Sequence, residues 1–98
     1  MPWSNRAAYP FNETSIIANA PQEAGVYALY NKTTWVYVGE SSNILGQLIQ
    51  HLRGDVPCIS MFPHLNFSYE TINVPVARAW RMKDVINEFR PICNPRFS

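Results

Sequence analysis

A small α/β domain of the α+β kind, a three-stranded antiparallel sheet flanked by helices in the order β-β-α-(loop)-β-α, is predicted by three features of the sequence. Two runs dense in Val, Tyr, Trp and Leu flank a short polar turn. Two other stretches space their apolar residues at helical intervals, and an alternating run lies between them. At 98 residues there is material for one core and not two. Apolar residues make up 47% and aromatics 13%, a composition that excludes a disordered chain.

Residues 1–24 read as an N-terminal arm, irregular because Pro2, Pro10 and Pro21 stand among Asn, Ser and Thr. One apolar knot, Ile16-Ile17-Ala18, interrupts it, and Trp3, Tyr9 and Phe11 are expected to hold it on the single domain formed by residues 25–98. Residues 25–30 and 35–39 form a β-hairpin around Asn31-Lys32-Thr33-Thr34. Ser41-Ser42-Asn43 offers capping oxygens ahead of Ile44, Leu45, Leu48, Ile49 and Leu52, and Gly54 ends that helix. Residues 55–65, with Pro57 and Pro63, read as loop with one helical turn near Ile59. Residues 66–72 alternate as a third strand. Pro75 then opens a helix whose apolar stripe is Val76, Ala79, Trp80, Met82, Val85, Ile86 and Phe89, ended by Pro91.

The net charge of +1 does not announce a nucleic-acid binder. Its distribution is uneven: residues 75–98 carry +3 and the preceding 74 residues −2. Arg78 and Arg81, three apart on the last helix, are candidates for phosphate contacts or for surface pairing with Asp84 and Glu70. No run reaches the roughly 18 apolar residues of a membrane span, and the start lacks the apolar stretch of a secretory signal, so a soluble, cytoplasmic chain is expected. Cys58 and Cys93, 35 positions apart and without CxxC spacing, are expected to be reduced thiols.

Gly25-Val26-Tyr27, nine intervening residues, Tyr37-Val38-Gly39 and a following helix that holds His51 resemble the GIY-YIG nuclease domain. The closing segment Val85-Ile86-x-x-Phe89-x-Pro91-Ile92-Cys93-Asn94 is similar to that family's end, and the resemblance covers residues 25–94. It implies an endonuclease fold that cuts DNA with one divalent cation, Mg²⁺ or Mn²⁺. It also implies roles: two tyrosines near the attacking water, an Arg on the first helix facing the phosphate, a His or Tyr one turn later, a metal-binding Glu on the last helix, and a terminal Asn. Tyr27, Tyr37, His51 and Asn94 match. The Arg position, four residues before His51, holds Gln47, which loses the fixed charge and the bidentate fork. The Glu position, nine before Pro91, holds Met82, whose thioether is a poor ligand for a hard cation.

Each residue also has a plainer reading. Tyr27 and Tyr37 suit a strand, His51 suits a half-buried helix face, Gln47 a helix surface, Met82 a core, and Asn94 a turn. A zinc site from His51, Cys58, His64 and Cys93 matches no short ligand spacing. The expected function is therefore a GIY-YIG-type domain with a degenerate site, cleaving DNA little or not at all and acting as a nucleic-acid-binding module. Its rivals are an active endonuclease drawing a ligand from Glu40, Asp84 or Glu88, and a protein-interaction domain on the same scaffold. The exposed aromatics expected in the arm leave self-association open.

Overall fold

β2 (Gly25–Tyr30) is the strand around which the molecule is built, and its sequence explains why: five of its six residues are buried, so it needs cover on both faces. The structure, a computed structural model, describes residues 7–94. On one side β2 pairs with β3 (Trp35–Ser41) through the expected hairpin, whose turn is closed by Asn31 Oδ1 accepting from the Thr33 and Thr34 amides at 3.0 and 2.9 Å. On the other it pairs antiparallel with β4 (Asn66–Thr71).

The sheet has four strands rather than the expected three, because the arm contributes β1 (Tyr9–Pro10), giving the order β1-β4-β2-β3. Tyr9 lies opposite Phe67, with ring centroids 5.3 Å apart, and the Phe11 amide donates to the Leu65 carbonyl at 2.9 Å. Pro10 is tolerated because it sits in an outermost strand. The arm also holds α1 (Glu13–Asn19), which corrects its reading as irregular: Asn12 caps the helix by accepting from the Ser15 amide at 2.8 Å, and Ile16 is fully buried. Tyr9 and Phe11 pack on the core as expected; Trp3 lies outside the described residues.

Alternation along β2 divides the core into two clusters on opposite faces of the sheet. Tyr27 and Leu29 join Ile16, Ile44, Leu48 and Phe67 under α1 and α2 (Ile44–Leu52), while Val26 and Ala28 join Val38, Val85 and Ile86 under α4 (Pro75–Phe89). α2 has the expected bounds, and Asn43 caps it by accepting from the Gly46 amide at 3.2 Å. The single helical turn expected in the loop is α3 (Pro57–Ser60), which buries Ile59. α4 ends where Arg90 turns left-handed before Pro91.

The expected apolar stripe of α4 needs correction in its first half. Val76 and Trp80 are 63% and 66% exposed, and Arg78 and Arg81 face the sheet instead. The cause lies beneath them: Val26 is flanked in register by Glu40 on β3 and Glu70 on β4, so that end of the face is acidic. Arg81 makes a bidentate pair with Glu70 at 2.7 and 3.0 Å and also bonds Asp84 at 2.9 Å. Arg78 reaches Glu40 at 3.4 Å. Both guanidinium groups are engaged within the fold, the surface pairing that the sequence offered as one of their two readings.

Cys58 and Cys93 form a disulfide with Cα atoms 5.7 Å apart, which overturns the expectation of reduced thiols. Spacing carried no hint of it, because the bond depends on residues 92–94 turning back along β3. Among the described residues no helix is long and apolar enough to cross a membrane.

Candidate active site

Tyr27 stands at the middle of the central strand, opposite Gly39 on β3. A Cβ at Gly39 would run into the Tyr27 hydroxyl, so the glycine of the second tripeptide is what gives the phenol its room. α2 packs over the same face and brings down His51, which is only 2% exposed. The Tyr27 hydroxyl lies 2.6 Å from His51 Nε2. On the other side of the ring, Nδ1 lies 2.7 Å from Asp55 Oδ1. An ionised carboxylate only accepts, so Nδ1 carries the proton; in the neutral imidazole Nε2 then accepts from Tyr27 Oη–H. Tyr27, His51 and Asp55 form a chain running from the buried strand to a half-exposed carboxylate.

Tyr37 completes the cluster. Its ring meets His51 edge-on at 5.1 Å and lies 6.3 Å from Tyr27. Burial pushes the Tyr27 hydroxyl far above the usual phenol range, with smaller contributions from Tyr37 and from the Asp55 charge. Burial, then Asp55, raises Tyr37 as well. Both phenols are therefore neutral hydrogen-bonding groups at physiological pH.

The sign of the pH dependence follows. A phenol whose folded pKa exceeds its unfolded value of 10.0 stabilises the fold fully below pH 10, and that stability is lost as rising pH ionises the unfolded chain. Stability is expected to fall above pH 10 by up to about 1.4 kcal/mol per pH unit from Tyr27, with a smaller, solvent-screened share from the half-buried Tyr37. Urea midpoints measured from pH 8 to 11 check this, and a flat profile would contradict the burial of both rings.

Of the residues singled out in the sequence, Tyr27, Tyr37 and His51 meet. Gln47 lies one turn before His51 on α2, half-buried, and its side-chain amide makes no hydrogen bond with any described residue. Met82 packs on the opposite face of the sheet, against the cluster of Val26, Ala28, Val38, Val85 and Ile86. Asn94 bonds the backbone of Val38, the residue after Tyr37, accepting from its amide at 2.8 Å and donating to its carbonyl at 2.7 Å. Asp55 was missed by sequence reasoning. Its signal was the i,i+4 spacing from His51, masked by Gly54 between them.

The chemistry of the available donors does not fit a hard divalent cation. No group of three His, Cys, Asp or Glu side chains converges among the described residues. Glu40 and Asp84 are held by Arg78 and Arg81, and Asp55 by His51. The zinc set fails because Cys58 and Cys93 are bonded to each other. A groove of about 860 Å³ between Thr33, Trp35, Phe89 and Arg90 includes Asn94 but not Tyr27, Tyr37 or His51.

No family model matches the chain. A 39-residue stretch, 40% of the chain, is 41% identical to UvrABC system protein C of Hydrogenobaculum sp. (strain Y04AAS1), and the match spans 7% of that protein's length. Among solved structures, the GIY-YIG N-terminal endonuclease domain of UvrC from Thermotoga maritima, bound to magnesium as its catalytic divalent cation, superposes with a TM-score of 0.71 at 20% identity. That match covers 85% of this chain and 96% of the domain. A tyrosine-to-phenylalanine mutant and an asparagine-to-alanine mutant of the same domain, each also bound to its catalytic cation, give 0.72 at 20% identity over 86% of this chain and 96% of theirs. The two tripeptides on a paired hairpin, the helix that carries His51 and the four-stranded antiparallel sheet together make this a GIY-YIG nuclease-domain fold.

Proposed function

We propose that the chain is a degenerate GIY-YIG domain that binds nucleic acid and cleaves phosphodiesters little or not at all. The observation that carries this reading is the replacement of both charge-handling groups, Gln47 where the family has its Arg and Met82 where it has its metal-binding Glu, with no other oxygen ligands gathered to compensate. The proton-handling half, Tyr27, Tyr37 and His51, is retained. Developing negative charge on a phosphate then meets neither a guanidinium nor a cation, and loss of one such group costs about two to three orders of magnitude in rate.

Plasmid nicking in Mg²⁺ or Mn²⁺, with the chain beside its double variant Gln47→Arg, Met82→Glu, tests this. Background nicking by the chain is expected, and a gain by the variant would mean that a Glu at 82, although its helix packs on the other face of the sheet, reaches Tyr27 and Tyr37 past the sheet edge. Metal-dependent turnover by the unmodified chain would overturn the reading and send the search for a ligand to Glu40, Asp84 and Glu88. The exposed Val76 and Trp80 on α4 favour a second reading, a protein-interaction domain. Salt separates the two: phosphate contacts make log affinity for DNA fall with log salt in proportion to the phosphates neutralised.

A further inference from the structure

β3 is the last strand of the sheet, so half of its backbone groups point away from β2 and need partners. Residues 92–94 supply them. The Ile92 amide donates to the Trp35 carbonyl at 3.0 Å and the Cys93 amide to the Val36 carbonyl at 2.8 Å. Asn94 then uses its side chain as a peptide group would be used, bonding both the amide and the carbonyl of Val38. The tail thus acts as a short extra strand built from two backbone amides and one carboxamide.

Besides these bonds, the buried Pro91 at its start and the packing of Cys93 against the core hold it. Ile92 is 60% exposed, and α4 cannot stiffen the tail because the helix ends at the left-handed Arg90 and at Pro91. The net gain from four hydrogen bonds is of the same size as the entropy lost in ordering three residues. What tips the balance is the bond from Cys93 to Cys58 on α3, which is itself anchored by the buried Ile59. Both cysteines are half-buried, so the bond lies within reach of a small reductant.

We propose that Cys58–Cys93 is a redox latch: reduction by a dithiol releases residues 92–94 from β3 while the sheet and the helices persist. The exchange is balanced. A thiolate of the dithiol attacks one sulfur, forming a mixed disulfide and freeing the other cysteine, and the second thiol of the reductant then displaces the remaining one. Cys58 and Cys93 end as thiols with the two protons and two electrons that the dithiol gives up as it closes to its own disulfide. Release frees the outward groups of Val38, next to Tyr37, so the latch controls the strand that carries one of the site tyrosines.

The test is amide hydrogen exchange by NMR on the full chain, before and after dithiothreitol, with free thiols counted in each state. Oxidised protein is expected to hold no free thiol and reduced protein two. On reduction the Val38 amide should exchange at least about tenfold faster while protected amides of the β2–β4 ladder stay within about twofold. Cys93→Ser should show the fast pattern without reductant, and reduced wild-type protein serves the same purpose if that variant does not fold. Unchanged protection at Val38 with both thiols free would overturn the latch. So would a parallel loss across β2 and β4, or two free thiols in protein never exposed to reductant. These readouts do not depend on DNA binding or cleavage.

Discussion

Replacing Gly25 with alanine is expected to lower stability by at least about 3 kcal/mol, at the upper end of the overpacking range and a large share of the roughly 5 to 15 kcal/mol that holds a domain of this size. The added Cβ would overlap the backbone carbonyl oxygen of Glu70 and come within 2.8 Å of Ile44 Cδ1. A side chain can rotate away, but this carbonyl cannot. It belongs to β4, whose register is fixed by the pairs of Gly25 with Thr71 and Val26 with Glu70. The strain must be relieved by parting the two strands at the point where α2 packs over them. Urea unfolding followed by circular dichroism measures the loss, and a midpoint near that of the unmodified chain would contradict the close approach.

Truncating His51 to alanine is expected to cost about 3 to 4 kcal/mol. The imidazole fills space among Tyr27, Tyr37 and α2, and it is the hydrogen-bond partner of the buried Tyr27 hydroxyl. Its removal leaves a cavity and an unpaired phenol together. Asp55→Asn makes an informative contrast, because the Asp55 side chain is 36% exposed and water screens its pair with His51. A loss under about 1 kcal/mol is expected there. Its effect should appear in the histidine: an amide can donate as well as accept, so the preference for the Nδ1–H form weakens, and imidazole ¹⁵N shifts would record it. A large loss from Asp55→Asn with no change in tautomer would mean that Asp55 supports the fold and not the ring.

The sequence made the hairpin and α2 legible because each was signalled twice, by apolar periodicity and by local chemistry at its ends. Asn31 closes the turn and Asn43 caps the helix, as such residues do independently of tertiary context. β1 was invisible for the opposite reason. A two-residue strand that contains Pro10 has neither period nor propensity, and it exists only because Phe67 and Leu65 are there to receive it. The orientation of α4 depended on Glu40 and Glu70, residues distant in sequence that turn the floor beneath its first half acidic. In the site, the meeting of Tyr27, Tyr37 and His51 followed from spacing on a hairpin and the helix after it. Asp55 and the backbone role of Asn94 did not, since both depend on where a loop and a tail return.

Trp35-Val36-Tyr37-Val38 is aromatic and β-branched, carries no charge and contains no proline, the composition of a segment that stacks with copies of itself. Natural sheets shield such a strand with lysine, proline or a bulge within it. Here the pairing with β2 is already irregular between Trp35 and Tyr37, and a further shield comes from outside the strand, in the three residues that follow Pro91. Their placement therefore bears on solubility as much as on the site: a chain that lost them would present this strand as a template for a neighbouring molecule, with its core still folded.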